Sequence, residues 1–228
     1  MKDVVKPGIP TSEIEKEADQ MSRSLGIVAA FKGYLGYPSS ICVSINNEVV
    51  HGIPSRKRIL EKGDIVGLDF GAFYKGFYSD AAVTLPVGKL DKKTGHLMEV
   101  ARTALHRGIE AALVGNRIGD ISHAVQSYVE SNGYSVVKAF VGHGIGQSLH
   151  EEPQVPNFGD PQWGVRLKEG MTLAIEPMVN AGSDQVKVLE DGWTAVTADG
   201  SLSAHFEHTI AVTSNGPRIL TVKSMAGE

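Results

Sequence analysis

The sequence predicts an α+β fold, helices covering one face of a mostly antiparallel sheet, and three observations lead there. Helix-like and strand-like patterns are segregated instead of alternating as βαβ units. Strand-like runs are joined by turn signals of the kind that close hairpins. The chain also repeats itself at a constant spacing: Gly8 with Gly115, Ile14 with Ile121, Gly26 with Gly133, Gly52 with Gly159, Leu60 with Leu167 and Gly63 with Gly170. A fixed offset of 107 across helix, loop and strand signals predicts two similar halves, about 1–93 and 94–228, in one domain spanning 1–228.

In chain order, Ser12-x-x-Glu15 has the form of a capping box, apolar positions recur through Leu25, and Gly26 stands where a helix stop belongs. Two more amphipathic patterns run from Thr94 to Val114 before Gly115 and from Asp120 to Asn132 before Gly133. The offset places a counterpart of the 94–114 helix ahead of Gly8, where most of it would precede residue 1. The apolar face under it is then expected to be closed by self-association, by rearranged local residues or by polar substitution.

The segment from Asp64 to Thr84 reads as a hairpin. A turn centred on Tyr74-Lys75 would set Asp69 opposite Asp80, close enough to repel. In the second half, Asp191-Gly192 is a strong two-residue turn signal, and centring there sets Glu176 opposite Glu207. All four carboxylates stand in or beside apolar runs, and no Lys or Arg adjoins them in sequence. A buried, unpaired carboxylate costs several kcal/mol, so a cation is the expected partner. Two divalent ions would balance the four charges where one would leave half of them.

His143 lies in Gly142-His143-Gly144-Ile145-Gly146, and the flanking glycines let backbone and ligand approach an imidazole. A phosphate loop does not fit, because Gln147 stands where the fingerprint needs glycine and Pro153 ends any helix too soon. His51, in His51-Gly52-Ile53-Pro54, and His150, before Glu151-Glu152-Pro153, are left for roles other than metal ligation.

Composition narrows the partners. The chain has 228 residues, one cysteine and a formal charge of -4. It carries no apolar run long enough to span a bilayer, and its N-terminus has neither a secretory nor a transit pattern. A cytoplasmic, reducing location without membrane or specific nucleic-acid binding is expected. The basic run Ser55-Arg56-Lys57-Arg58 reads as a solvated loop.

Together with Ala174-Ile175-Glu176-Pro177-Met178 and Glu207-His208-Thr209, these motifs resemble the type I methionine aminopeptidases from about Val5 to Leu220. The resemblance implies the pita-bread fold, two pseudo-twofold related halves with a curved sheet. It implies five metal ligands, Asp69, Asp80, His143, Glu176 and Glu207, with Glu176 also handling the proton of the attacking water and His51 and His150 contacting substrate. It implies a methionine pocket at Tyr34, Tyr37, Cys42, Leu149 and Trp193. Leu149 and Leu35 stand where the family commonly has Phe and His. Two divalent ions are expected, Co, Mn or Fe(II) by the oxygen-rich ligand set, with Zn a further candidate. The implied substrates are the N-termini of nascent polypeptides, met with transient ribosome association. The rival expectations are a proline-specific relative, which usually adds a large N-terminal domain, and a non-catalytic pita-bread binding protein.

Overall fold

The computed structural model describes residues 2–222. Among these described residues three α-helices, α1 (Thr11–Leu25), α2 (Lys92–Glu110) and α3 (Ile118–Ser131), accompany fifteen short to medium strands in four antiparallel sheets. Among the described residues no helix is long and apolar enough to cross a membrane.

α1 begins at Thr11 with Pro10 as its N-cap and no side-chain cap bond, so the expected capping box at Ser12 does not form. Thr11 is used otherwise: its Oγ1 donates to Ser55 O at 3.1 Å and accepts from Ser55 N at 2.8 Å, tying the helix start to the 55–58 loop. At the other end Gly26 takes φ 65°, the left-handed stop that its position suggests. α2 starts two residues before the expected Thr94, because Asp91 accepts from Lys93 N, Thr94 N and the Thr94 hydroxyl. It ends at Glu110, short of the expected Val114. α3 runs Ile118–Ser131 against the expected 120–132, its start held by Asp120 accepting from Arg117 N at 2.7 Å.

The repeat is visible in individual hydrogen bonds. Gly8 N donates to Leu60 O at 2.8 Å, and Gly115 N to Leu167 O at 3.0 Å. Ile27 N donates to Ser22 O, and Tyr134 N to Val129 O. The isolated bridges Pro10↔Ile59 and Arg117↔Arg166 are the same bridge in the two halves.

The larger apolar cluster lies in the second half, where Leu97, Ala101, Ala104 and Leu105 of α2 and Ile121 and Val125 of α3 meet Leu173, Ile175 and Ile210 of the sheet. The first half has a smaller cluster of Ile14, Ala18, Ile41, Val43, Leu60, Val66, Leu68 and Val87. Val4, Val5 and Ile9 pack against it. Phe31, Tyr37, Cys42, Ile145, Leu149 and Ala174 form a third cluster where the halves meet, and this one borders the site.

Candidate active site

Strands Ile65–Tyr74 and Phe77–Pro86 form the first hairpin. Its turn is Lys75-Gly76, with φ 48° and 90°. A two-residue turn of the favoured kind needs positive φ at both positions, which glycine accepts and tyrosine does not, so the turn sits one residue later than expected. Asp69 therefore opposes Ala82, and Asp80 opposes Gly71. The two aspartates are diagonal neighbours on one face, not a directly opposed pair.

In the second half Ile175 pairs with His208, so Glu176 and Glu207 lie opposite one another one step beyond that ladder. The same register continues through Met178↔His205 and Val188↔Ala195. The turn is centred on Asp191-Gly192 as expected, but it is a longer loop closed by Leu189 N donating to Thr194 O at 2.9 Å. Asp191 accepts from Trp193 N and Thr194 N and shapes that loop, which carries Trp193 to the pocket.

His143 sits on the short strand Gly142–Gly144, paired with Ala174. Its Nδ1 donates to Gly144 O at 2.8 Å, which leaves the Nε2 lone pair free for a metal. A Cβ on Gly142 would come within 2.3 Å of Ala174 O, and one on Gly144 within 2.4 Å of Glu152 O, so both glycines are required by close approach. His51 is held in the left-handed region at φ 61°. Next to it, a Cβ on Gly52 would meet Val43 O at 2.3 Å. Gly52 N donates to Ser44 Oγ, and Gly52 O accepts from Val43 N and from the Tyr37 hydroxyl. Arg58 clamps the same loop: its guanidinium donates to Ile53 O, Val43 O and Glu48. That corrects the reading of 55–58 as wholly solvated, because Arg58 is half-buried in an ion pair.

These pieces enclose one cavity of about 160 Å³, below the range typical of drug-sized ligand pockets and suited to a single side chain. Asp69, Asp80, His143, Glu176 and Glu207 line it. Tyr34, Tyr37, Cys42, Leu149 and Trp193 line it as well, with His51 and His150. His150 Nδ1 lies 2.8 Å from the Tyr34 hydroxyl, and its ring stands edge-on to His143 at 4.3 Å. All the residues singled out from sequence are thus brought together. Two others were not: Phe31, which lines the cavity, and His205, whose Nε2 lies 3.7 Å from Glu176 Oε2. The 107 spacing marks neither of them.

Burial pushes the Asp69 carboxyl up to about 7 and those of Asp80, Glu176 and Glu207 well above the usual carboxylate range, the last three raised further by acidic neighbours. Burial lowers His51 and His143 to about 4 and His205 to about 3, so all three imidazoles are neutral near pH 7. Burial also raises the Cys42 thiol well above its ordinary value, which makes it a wall and not a nucleophile. The donor set fits divalent metal: ligand atoms of Asp80, His143 and Glu207 lie within 4.8 Å of one another, and Asp69 Oδ1 and Glu207 Oε1 are buried without a hydrogen-bond partner.

The sequence model of metallopeptidase family M24 matches residues 1–214. The chain belongs to that family. As an M24 metallopeptidase it depends on divalent metal, which agrees with the buried acidic cluster. It is 52% identical over 221 residues to methionine aminopeptidase 1 of Bacillus subtilis, covering 97% of this chain and 89% of the relative. It is 51% identical over 222 residues to a methionine aminopeptidase of Clostridium perfringens, with the same coverage. The crystal structure of the Thermotoga maritima methionine aminopeptidase superposes with a TM-score of 0.96 at 50% identity, covering 97% of this chain and 89% of that one. This M24 chain therefore has the pita-bread fold.

Proposed function

We infer that this M24 peptidase hydrolyses the N-terminal methionine from polypeptides, with nascent chains in the cytoplasm, at or near the ribosome, as its substrates. One observation carries the reading: four carboxylates and His143 line the same small cavity as a set of aromatic and apolar side chains, a cavity sized for one side chain. Asp69, Asp80, His143, Glu176 and Glu207 are the metal ligands in this reading, and charge balance calls for two ions. Oxygen donors with a single imidazole suit Mn, Fe(II) or Co, with Zn also admissible. Bound there, such ions supply Lewis acidity and a water acidic enough to react near neutral pH.

The protein's own residues do the rest. The methionine side chain lies against Tyr37, Cys42, Leu149 and Trp193, where a flexible thioether packs well on rings and sulfur. Acidic ligands beyond it favour the free amine of the substrate. Glu176 takes the proton of the attacking water, and His51 and His150 polarise the scissile carbonyl and assist the leaving nitrogen. The His51 and His150 side chains suit this as neutral donors, since burial lowers both their pKa values.

The test is hydrolysis of a Met-Ala-type peptide against an X-Pro peptide by protein of measured metal content. Release of methionine dependent on bound metal is expected. Cleavage of X-Pro alone would move the chain to a proline-specific activity, and metal binding without any hydrolysis would make it a binding protein.

A further inference from the structure

The two halves exchange matching hydrogen bonds. Thr209 Oγ1 accepts from Asp80 N at 2.8 Å and donates to Asp80 O at 2.8 Å. Thr84 Oγ1 accepts from His205 N at 2.9 Å and donates to His205 O at 2.8 Å. Thr84 and Thr209 are therefore equivalent, and so are Asp80 and His205. Strand pairing agrees, because Asp80 opposes Gly71 and His205 opposes Met178, and Gly71 and Met178 are one repeat apart. Asp69 and Glu176 are also one repeat apart. The fold thus aims His205 at Glu176 as it aims Asp80 at Asp69.

His205 is 4% exposed, and its Nε2 is buried with no hydrogen-bond partner. Such orphaned atoms are rare in folded proteins and call for a partner. Glu176 Oε2 lies 3.7 Å from His205 Nε2, while the other oxygen, Oε1, lies 3.6 Å from His143 Nε2. The gap exceeds a hydrogen bond by about half an ångström, which a small rotation of the carboxylate closes. His205 is not among the converging ligand atoms of Asp80, His143 and Glu207.

We propose that His205 is a positioning residue for Glu176: its Nε2–H donates to Oε2 and holds the carboxylate with Oε1 turned toward His143 and the ligand cluster. This rests on the reading of Glu176 as metal ligand and proton acceptor. Hydrogen bonds from outside the ligand shell orient ligating carboxylates, and losing one typically costs about 10–100-fold in metal affinity or activity.

The experiment compares wild type, His205→Leu, His205→Gln and Glu176→Ala. Metal-free protein is titrated with Mn(II) by calorimetry, and the loaded enzymes are assayed on a Met-Ala-type peptide. His205→Leu should bind the same number of ions about 10–100-fold more weakly and lose kcat to a similar degree with KM little changed. His205→Gln, whose carboxamide also donates, should recover both. Wild-type behaviour of His205→Leu, failure of glutamine to rescue, or loss of one metal equivalent would each overturn the proposal, the last by making His205 a ligand. If Glu176→Ala is inactive while His205→Leu is normal, only this proposal fails; if Glu176→Ala retains full activity and metal, the site assignment itself fails. Should His205→Leu not fold, imidazole ¹⁵N resonances of metal-free wild type decide it. The signal missing from His205→Gln must belong to the Nε2–H tautomer, and an Nδ1–H tautomer refutes the assignment.

Discussion

At the residue scale the centre is a set of acids that cannot all be charged in a buried site without a cation. Removing one ligand unbalances the rest, so Glu176→Ala and Asp80→Ala are each expected to lower peptide hydrolysis by several orders of magnitude. Turnover near the wild-type rate, after metal carry-over is excluded, would remove these residues from the site. His51 and His150 make a different prediction, because they face the cavity without belonging to the ligand cluster. His51→Ala or His150→Ala should lose turnover while binding as much metal as the wild type. Metal analysis beside the rate measurement checks this, and a missing metal equivalent would move that histidine into the ligand shell. The Tyr34 hydroxyl against His150 Nδ1 holds that imidazole in one orientation where it lines the cavity.

At the element scale, short segments with little helix or strand around them carry much of the chemistry. The His51 loop is an example: a left-handed histidine, a glycine with no room for a side chain, and an arginine clamp. Gly52→Ala pushes a methyl group into the Val43 carbonyl, which neither backbone can easily yield. Overpacking of this kind costs about 1–3 kcal/mol. The expected outcome is a lower thermal midpoint together with a large fall in kcat at temperatures where the variant is still folded. Full turnover in the folded variant would show that the loop tolerates displacement of His51. The second-half hairpin shows the same economy of construction: the register of its outer ladder continues inward through two further strand pairs and out to the loop bearing Trp193.

At the scale of the whole molecule, two halves with separate apolar clusters meet at the site, so metal and fold stability are linked. The sign of the pH dependence follows from the carboxylates. Their pKa values are raised in the folded state, Asp69 to about 7 and the other three well above the usual carboxylate range, so their contribution is greatest in acid and is lost as pH rises through the folded values. His51, His143 and His205 are lowered and contribute above their unfolded pKa, so between about pH 6.5 and 8 they change little. In that window the thermal midpoint of metal-free protein should fall with rising pH, and added Mn(II) should raise it and flatten the slope. A midpoint independent of both pH and Mn(II) would mean the acids are not a buried, uncompensated cluster.

The sequence by itself determined the repeat, the three helices and the four candidate carboxylates, because each is written in local pattern: glycine stops, apolar periodicity, carboxylates in apolar runs; the five-ligand set and the pocket residues came from the family resemblance instead. Its register for the second hairpin holds, since a Asp-Gly turn centre carries through an antiparallel ladder unchanged. Its register for the first does not, because Tyr74-Lys75 and Lys75-Gly76 are adjacent choices and only the backbone decides which pair takes positive φ. His205 could not be read from the chain at all. Asp80 and His205 are equivalent at a spacing of 125, as are Thr84 and Thr209, because the second half inserts the strands around Trp193 between its two carboxylates. A constant-offset repeat loses its register at such an insertion. Threonine hydrogen bonds between the halves restore it in space, and they exist only once the halves have packed.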